Sequence, residues 1–187
     1  MKIGKIVGSN AHIDYVARIG SGELDVAATE YGFGQFVAMD TATDRFVGVV
    51  YDSRLINPEF SNFGPRLQSR PAIDEPSRPE KAGILIGIIL LGTMTADTGS
   101  DHSIPIRVIP VGTDVETIAI DAVNAFHSSP SGEVHLGYYQ RIIANSGQFA
   151  VPLLESKIER LQRSCTGLDR ERLAVLRDSL KWRSTFA

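Results

Sequence analysis

A small closed antiparallel β-barrel followed by C-terminal helices, mainly β with an α appendage, is the fold this sequence predicts. Three observations carry the prediction. Up to residue 112, apolar residues fall into six short runs separated by glycines and polar turns. One long, proline-bearing excursion, residues 52–80, interrupts that series. From residue 113 onward the apolar spacing changes from the period of a strand to that of a helix. Six short strands with tight turns are most economically arranged as a closed barrel, because closure removes the unpaired edges.

The elements follow in order. Residues 2–8, KIGKIVG, are short, β-branched and bounded by glycine, and predict the first strand. Residues 13–19 alternate, with Ile13, Tyr15, Ala17 and Ile19 on one face, and predict a half-exposed second strand. Residues 34–39 and 45–51 predict the third and fourth, joined by the polar turn Asp40–Asp44. Residues 52–80 hold prolines at 58, 65, 71, 76 and 79, a density that excludes regular structure. The run GILIGIILLGTM, residues 83–94, is too short for a membrane helix, which needs about 20 residues. Its isoleucines and internal Gly87 and Gly92 predict a buried strand, placed at 81–95. Residues 104–111, with Pro105 and Pro110 near the ends, predict the sixth strand.

Beyond it, Val115, Ile118, Ala119, Ala122 and Val123 share one helical face, with Thr113 or Asp114 as N-cap. Residues 134–139 are strand-like. Leu154, Ile158 and Leu161 predict a helix over 151–164, and Leu173, Leu176 and Leu180 another over 170–182 after Gly167 and Asp169. The division expected is a barrel at 1–112, with its loop at 52–80, and a helical extension at 113–187 that packs on the barrel or on a partner.

Bulk properties narrow the function. The 187 residues are 43% hydrophobic and 22% charged, ordinary for a globular protein. A net charge of −3 argues against the whole surface being a nucleic-acid footprint. From Leu153 onward, however, eight Lys and Arg stand against five Asp and Glu, net +3, which leaves −6 on residues 1–152. A basic tail on an acidic body hints at a partner for the tail. The single cysteine, Cys165, has no internal disulfide partner, so a reducing cytoplasm is expected. The first residues alternate and lead into no apolar core, so no signal peptide is expected.

The catalytic motifs fare poorly. Gly32-Phe33-Gly34 lacks the third glycine of a dinucleotide loop and precedes a strand; bending of a barrel corner explains it better. His12, His102, His127 and His135 show no metal-ligand spacing. No Gly-x-Ser-x-Gly elbow exists, and nothing forces two carboxylates of Asp52, Glu59, Asp74 and Glu75 together. No catalytic residue, cofactor or metal site is therefore expected.

Several phrases have a family likeness: KIGKIVGSN at 2–10, FGQFVAM at 33–39, FVGVVYDSRLINPEF at 46–60, IRVIPVGTDV at 106–115 and HLGYY at 135–139. Within them, Gly4-x-Ile6-Val7-Gly8 and Pro110-x-Gly112-x-x-Val115 are the most specific. Together they resemble the N-terminal HAS-barrel of HerA-type DNA-translocating ATPases, over about residues 1–140. In that family a Gly-x-x-x-x-Gly-Lys-Ser/Thr loop follows the barrel and cradles phosphate. Here no glycine after residue 112 is followed by Lys-Ser or Lys-Thr, so the resemblance implies a barrel without its motor. It implies ring assembly and docking to partners such as a NurA-type nuclease.

The expected function is thus a non-catalytic assembly or docking module in DNA processing, self-associating or binding a HerA/FtsK-type ATPase or a nuclease. Its candidate contacts are Arg54, Asn57, Phe60, Asn62, Phe63, Arg66 and Trp182. One alternative is a DNA-binding accessory protein using Arg66, Arg70, Arg78, Arg170 and Arg177, because arginines interleaved with aromatics grip phosphates and stack bases. Another is an enzyme of unidentified type.

Overall fold

A computed structural model of the chain describes residues 1–19, 30–56, 83–95, 99–129, 131–164 and 167–185. Seven strands occur among them: β1 (Lys2–Ala11), β2 (Asp14–Ile19), β3 (Phe36–Asp40), β4 (Arg45–Ile56), β5 (Gly83–Thr95), β6 (Gly99–Asp101) and β7 (Asp114–Thr117). The sheet order is β2-β1-β7-β3-β4-β5-β6, and β2 also pairs with β5. Six strands therefore close into an antiparallel barrel, with β6 as an outer strand on β5. The helices α1 (Ile120–His127), α2 (Tyr139–Asn145), α3 (Ala150–Ser164) and α4 (Gly167–Thr185) follow. The structure is mainly β with an α appendage, as the sequence predicts.

The apolar runs of β3, β4 and β5 do not alternate because both of their faces are buried. Val37, Met39, Phe46, Val50, Ile86, Ile88 and Leu90 belong to the barrel interior, with Ile3, Ile6, Tyr15 and Val115 from the other strands. The intervening Phe36, Ala38, Val47, Val49, Ile89 and Leu91 face outward into a second core. There the helices bring Phe126, Tyr138, Ile142, Leu153, Leu154, Ile158 and Leu161 against them. The barrel thus carries an apolar outer wall, and the helices cover it.

Four sequence-based expectations are corrected. Residues 104–111 do not form the sixth barrel strand; that place belongs to Asp114–Thr117, so the ring runs on past residue 112. Pro105 and Pro110 have no N–H to give a ladder. The segment instead crosses one end of the barrel. Pro105 O accepts from His12 Nε2 at 2.6 Å, the Ile109 N–H donates to Tyr15 Oη at 3.0 Å, and Ile109 joins the interior core. The helix expected from Val115 begins only at Ile120, because β7 is claimed by β1 and β3 and by Lys2 and Lys5, whose ammoniums lie 2.8 and 2.6 Å from Asp114. Residues 134–139 contribute one bridge, Ser128 to Val134, before α2 begins. Finally, β4 continues through Ile56, paired with β5 as far as Gly83, so residues 52–56 are strand and not loop.

Gly48 is needed where it stands. A Cβ there would point into the barrel, 2.5 Å from Ile88 Cγ2 and 3.5 Å from Met39 Cε. Overpacking of this kind costs about 1–3 kcal/mol. Gly48→Ala is expected to lower the urea midpoint accordingly without changing the far-UV spectrum; an unchanged midpoint would show that this interior has room to spare.

Candidate functional site

Three places in the structure gather chemistry that the fold alone does not explain. The first is a buried polar seam between the outer barrel wall and the helices. His127 closes α1 facing inward, with Nδ1 2.6 Å from Val123 O and Nε2 2.6 Å from Tyr138 Oη. A carbonyl only accepts, so Nδ1 carries the proton and Nε2 accepts from the tyrosine hydroxyl. His102 is arranged in the opposite sense: Nε2 donates to Phe126 O at 2.9 Å, and Nδ1 accepts from the Gly137 N–H at 3.1 Å. Its ring stacks on His135 with centroids 4.7 Å apart. Arg141 ties the seam to the barrel, donating to Leu90 O at 3.1 Å and His102 O at 2.7 Å.

Both histidines are therefore neutral and hydrogen-bonded at both nitrogens. Burial is the main force pushing each pKa down to about 4; His135 and Arg141 add to it for His102, and His102, Lys157 and Arg160 for His127. Burial also raises the Tyr138 pKa. Among the described residues no group of three or more His, Cys, Asp or Glu could hold a metal.

The second place is an open cleft of about 350 Å³ at the edge of this seam, between the turn at residues 32–35 and α3. Gly34 holds φ +78°, the left-handed conformation that favours glycine, while its N–H donates to Val50 O at 2.7 Å. Its carbonyl accepts from Lys157 Nζ, and Lys157 is 2% exposed. The ammonium lies 4.4 Å from the centroid of the Phe36 ring. Burial, and next Arg160, lower the Lys157 pKa to about 7. Arg160 and the Arg163–Glu159 ion pair, 2.8 Å, line the same cleft. Phe33 stands on its rim, 49% exposed, packed edgewise on Phe149 at 6.0 Å.

The third place is the segment that crosses the barrel end. Pro105 and Ile109 point in, while Ile104, Ile106, Val108 and Val111 point out, Ile106 at 95% exposure and Val111 at 72%. Arg107 pairs with Asp44 at 2.7 Å, next to a shallow cleft of about 340 Å³. Among the described residues, the N–H groups of Ile106, Arg107 and Val108 have no backbone acceptor.

A family model described as a domain of unknown function, DUF8166, matches residues 1–187. The chain belongs to that family. No curated protein matches it.

In this DUF8166 chain the contact residues expected from sequence are only partly placed. Arg54 is on β4, exposed and paired with Asp52 at 3.1 Å. Asn57, Phe60, Asn62, Phe63, Arg66, Arg70 and Arg78 lie outside the described residues, as does Cys165. Trp182 falls within α4, but its side chain is not among those described. Arg170 and Arg177 share a cleft between α3 and α4, where Arg177 is engaged by Gln162 at 3.2 Å. No helix among the described residues is long and apolar enough to cross a membrane. Sequence reasoning did not single out Lys157. The signal was there: a lysine in the apolar stripe of Leu153, Leu154, Ile158 and Leu161. Nor did it see that residues 104–111 would show their aliphatic side chains to solvent.

The seam makes stability depend on pH. Folded pKa values of about 4 lie below the ordinary 6.5 of an unfolded histidine, so the unfolded chain binds more protons between them. Stability from His102 and His127 is thus complete above about pH 6.5. It falls as the pH drops towards 4, at up to about 1.4 kcal/mol per pH unit for each histidine. Thermal unfolding from pH 7.5 to 4.5 should show this decline, and His127→Gln should make it shallower; a variant as steep as the parent would remove His127 from the account.

Proposed function

We propose that this chain is a non-catalytic assembly module in which a HAS-barrel-like cylinder associates with further copies of itself. One observation carries the reading: a single segment turns Ile104, Ile106, Val108 and Val111 to solvent while Pro105 and Ile109 anchor it to the barrel end. An exposed apolar row with unused backbone donors is the usual form of a surface that becomes buried on association. The same segment on a second copy offers matching side chains and carbonyl acceptors, which suits the self-complementary contact of a symmetric oligomer.

The resemblance to HerA-type barrels supports this reading and extends it. It suggests a cytoplasmic role in DNA processing, with a HerA/FtsK-type ATPase or a nuclease docking on the assembled barrels. The sequence has no Gly-x-x-x-x-Gly-Lys-Ser/Thr loop, so the chain is expected to turn over no ATP.

Light scattering coupled to size exclusion tests the core of the proposal. The parent chain is expected to run as an oligomer at micromolar concentration. Ile106→Asp and Val108→Asp, changes at exposed positions that leave folding stability intact, are each expected to weaken association at least tenfold. A parent chain that stays monomeric at 100 µM, or variants that assemble as well as the parent, would refute it.

A further inference from the structure

The cleft beside Gly34 holds more positive charge than the fold uses. Its lining includes the cations Lys157, Arg160 and Arg163, against the single carboxylate of Glu159, which is already paired with Arg163. Lys157 spends one of three ammonium donors on Gly34 O. Arg160 makes no hydrogen bond or ion pair among the described residues, although its guanidinium sits half-buried 5.8 Å from the Phe36 centroid. Lys157 lies 4.4 Å from that same centroid. The two cations are close enough that Arg160 helps to depress the lysine's pKa. Like charges this close, one buried and one half-buried, repel one another unless an anion sits between them.

A doubly charged oxyanion fits this arrangement. Arginine's planar fork and the ammonium together can give a phosphoryl group several charge-assisted hydrogen bonds. A volume of about 350 Å³ exceeds what one phosphate needs and lies in the range of small-molecule sites. Phe33, on the rim, exposes about half its surface to whatever the phosphate carries. We infer that the cleft between the residue 32–35 turn and α3 binds a phosphate-bearing small molecule, its phosphoryl group on Lys157 and Arg160 and a flat ring against Phe33.

Titration calorimetry on the full chain at low ionic strength tests this with ADP, pyrophosphate and adenosine. ADP is expected to bind saturably, one per chain, while adenosine does not bind. Arg160→Ala should weaken ADP at least tenfold, and Arg172→Ala, on α4 and paired with Glu133, should leave it unchanged. Phe33→Ala should weaken ADP several-fold and leave pyrophosphate unaffected. Absence of saturable binding by both anions at millimolar concentration overturns the inference, as does ADP binding indifferent to Arg160→Ala in a variant that keeps its melting temperature. Equal affinities for ADP and pyrophosphate would overturn the part assigned to Phe33.

Discussion

Closure of the barrel through β2 and β5 is the constraint from which the rest follows. Asp14 to Arg18 pair with Ile89 to Leu85, while β4 holds the other edge of β5. Once β5 is paired on both sides, its residues have only two places to go, the lumen and the outer wall. The lumen takes Ile86, Ile88 and Leu90; the wall takes Ile89 and Leu91. An outer wall of that kind cannot face water over three adjacent strands, so α1, α2 and α3 are needed to cover it. The barrel and its helices are therefore bound into one packing problem, joined at β3, β4 and β5.

That covering sets the electrostatics. The seam under α1 and α2 is wide enough to bury aromatic and imidazole rings. His102, His127 and Tyr138 meet their hydrogen-bonding needs there as neutral groups. Lys157 is different in kind. It enters the same layer from α3, but its amine is desolvated beside a second cation and an open cleft. The neutral groups are explained by what they touch inside the protein. Lys157 and Arg160 are explained only in part, and the part left over faces outward.

How far this was legible depends on what each residue is forced to do. The first five strands are readable because β-branched runs between glycines admit few other structures. The helices α3 and α4 are readable from Leu154, Ile158 and Leu161 and from Leu173 and Leu180. The closing strand β7 was not readable. In Asp114–Thr117 only Val115 is buried, and its spacing to Ile118 and Val123 imitates a helix face. What makes it a strand is pairing with β1 and β3, a long-range fact that no local pattern records. The site fared likewise. The glycines at 32 and 34 were visible as a bend, and Arg160 and Arg163 as part of a basic tail, but only folding brings the two together.

The segment across the barrel end carries more apolar surface than the fold requires. Pro105 and Ile109 are structural: they close the barrel end and would leave a hole if removed. Ile106 is nearly as exposed as in an unfolded chain, so any soluble side chain would serve the monomer as well. An aliphatic row kept on the outer side of a segment anchored every few residues gains free energy only when something covers it. The segment is also held in place, by Tyr15, His12 and the Arg107–Asp44 pair, so little ordering entropy remains to be lost on contact. On the proposed reading, the pre-ordered apolar row at the barrel end would be covered by the same row of a second copy.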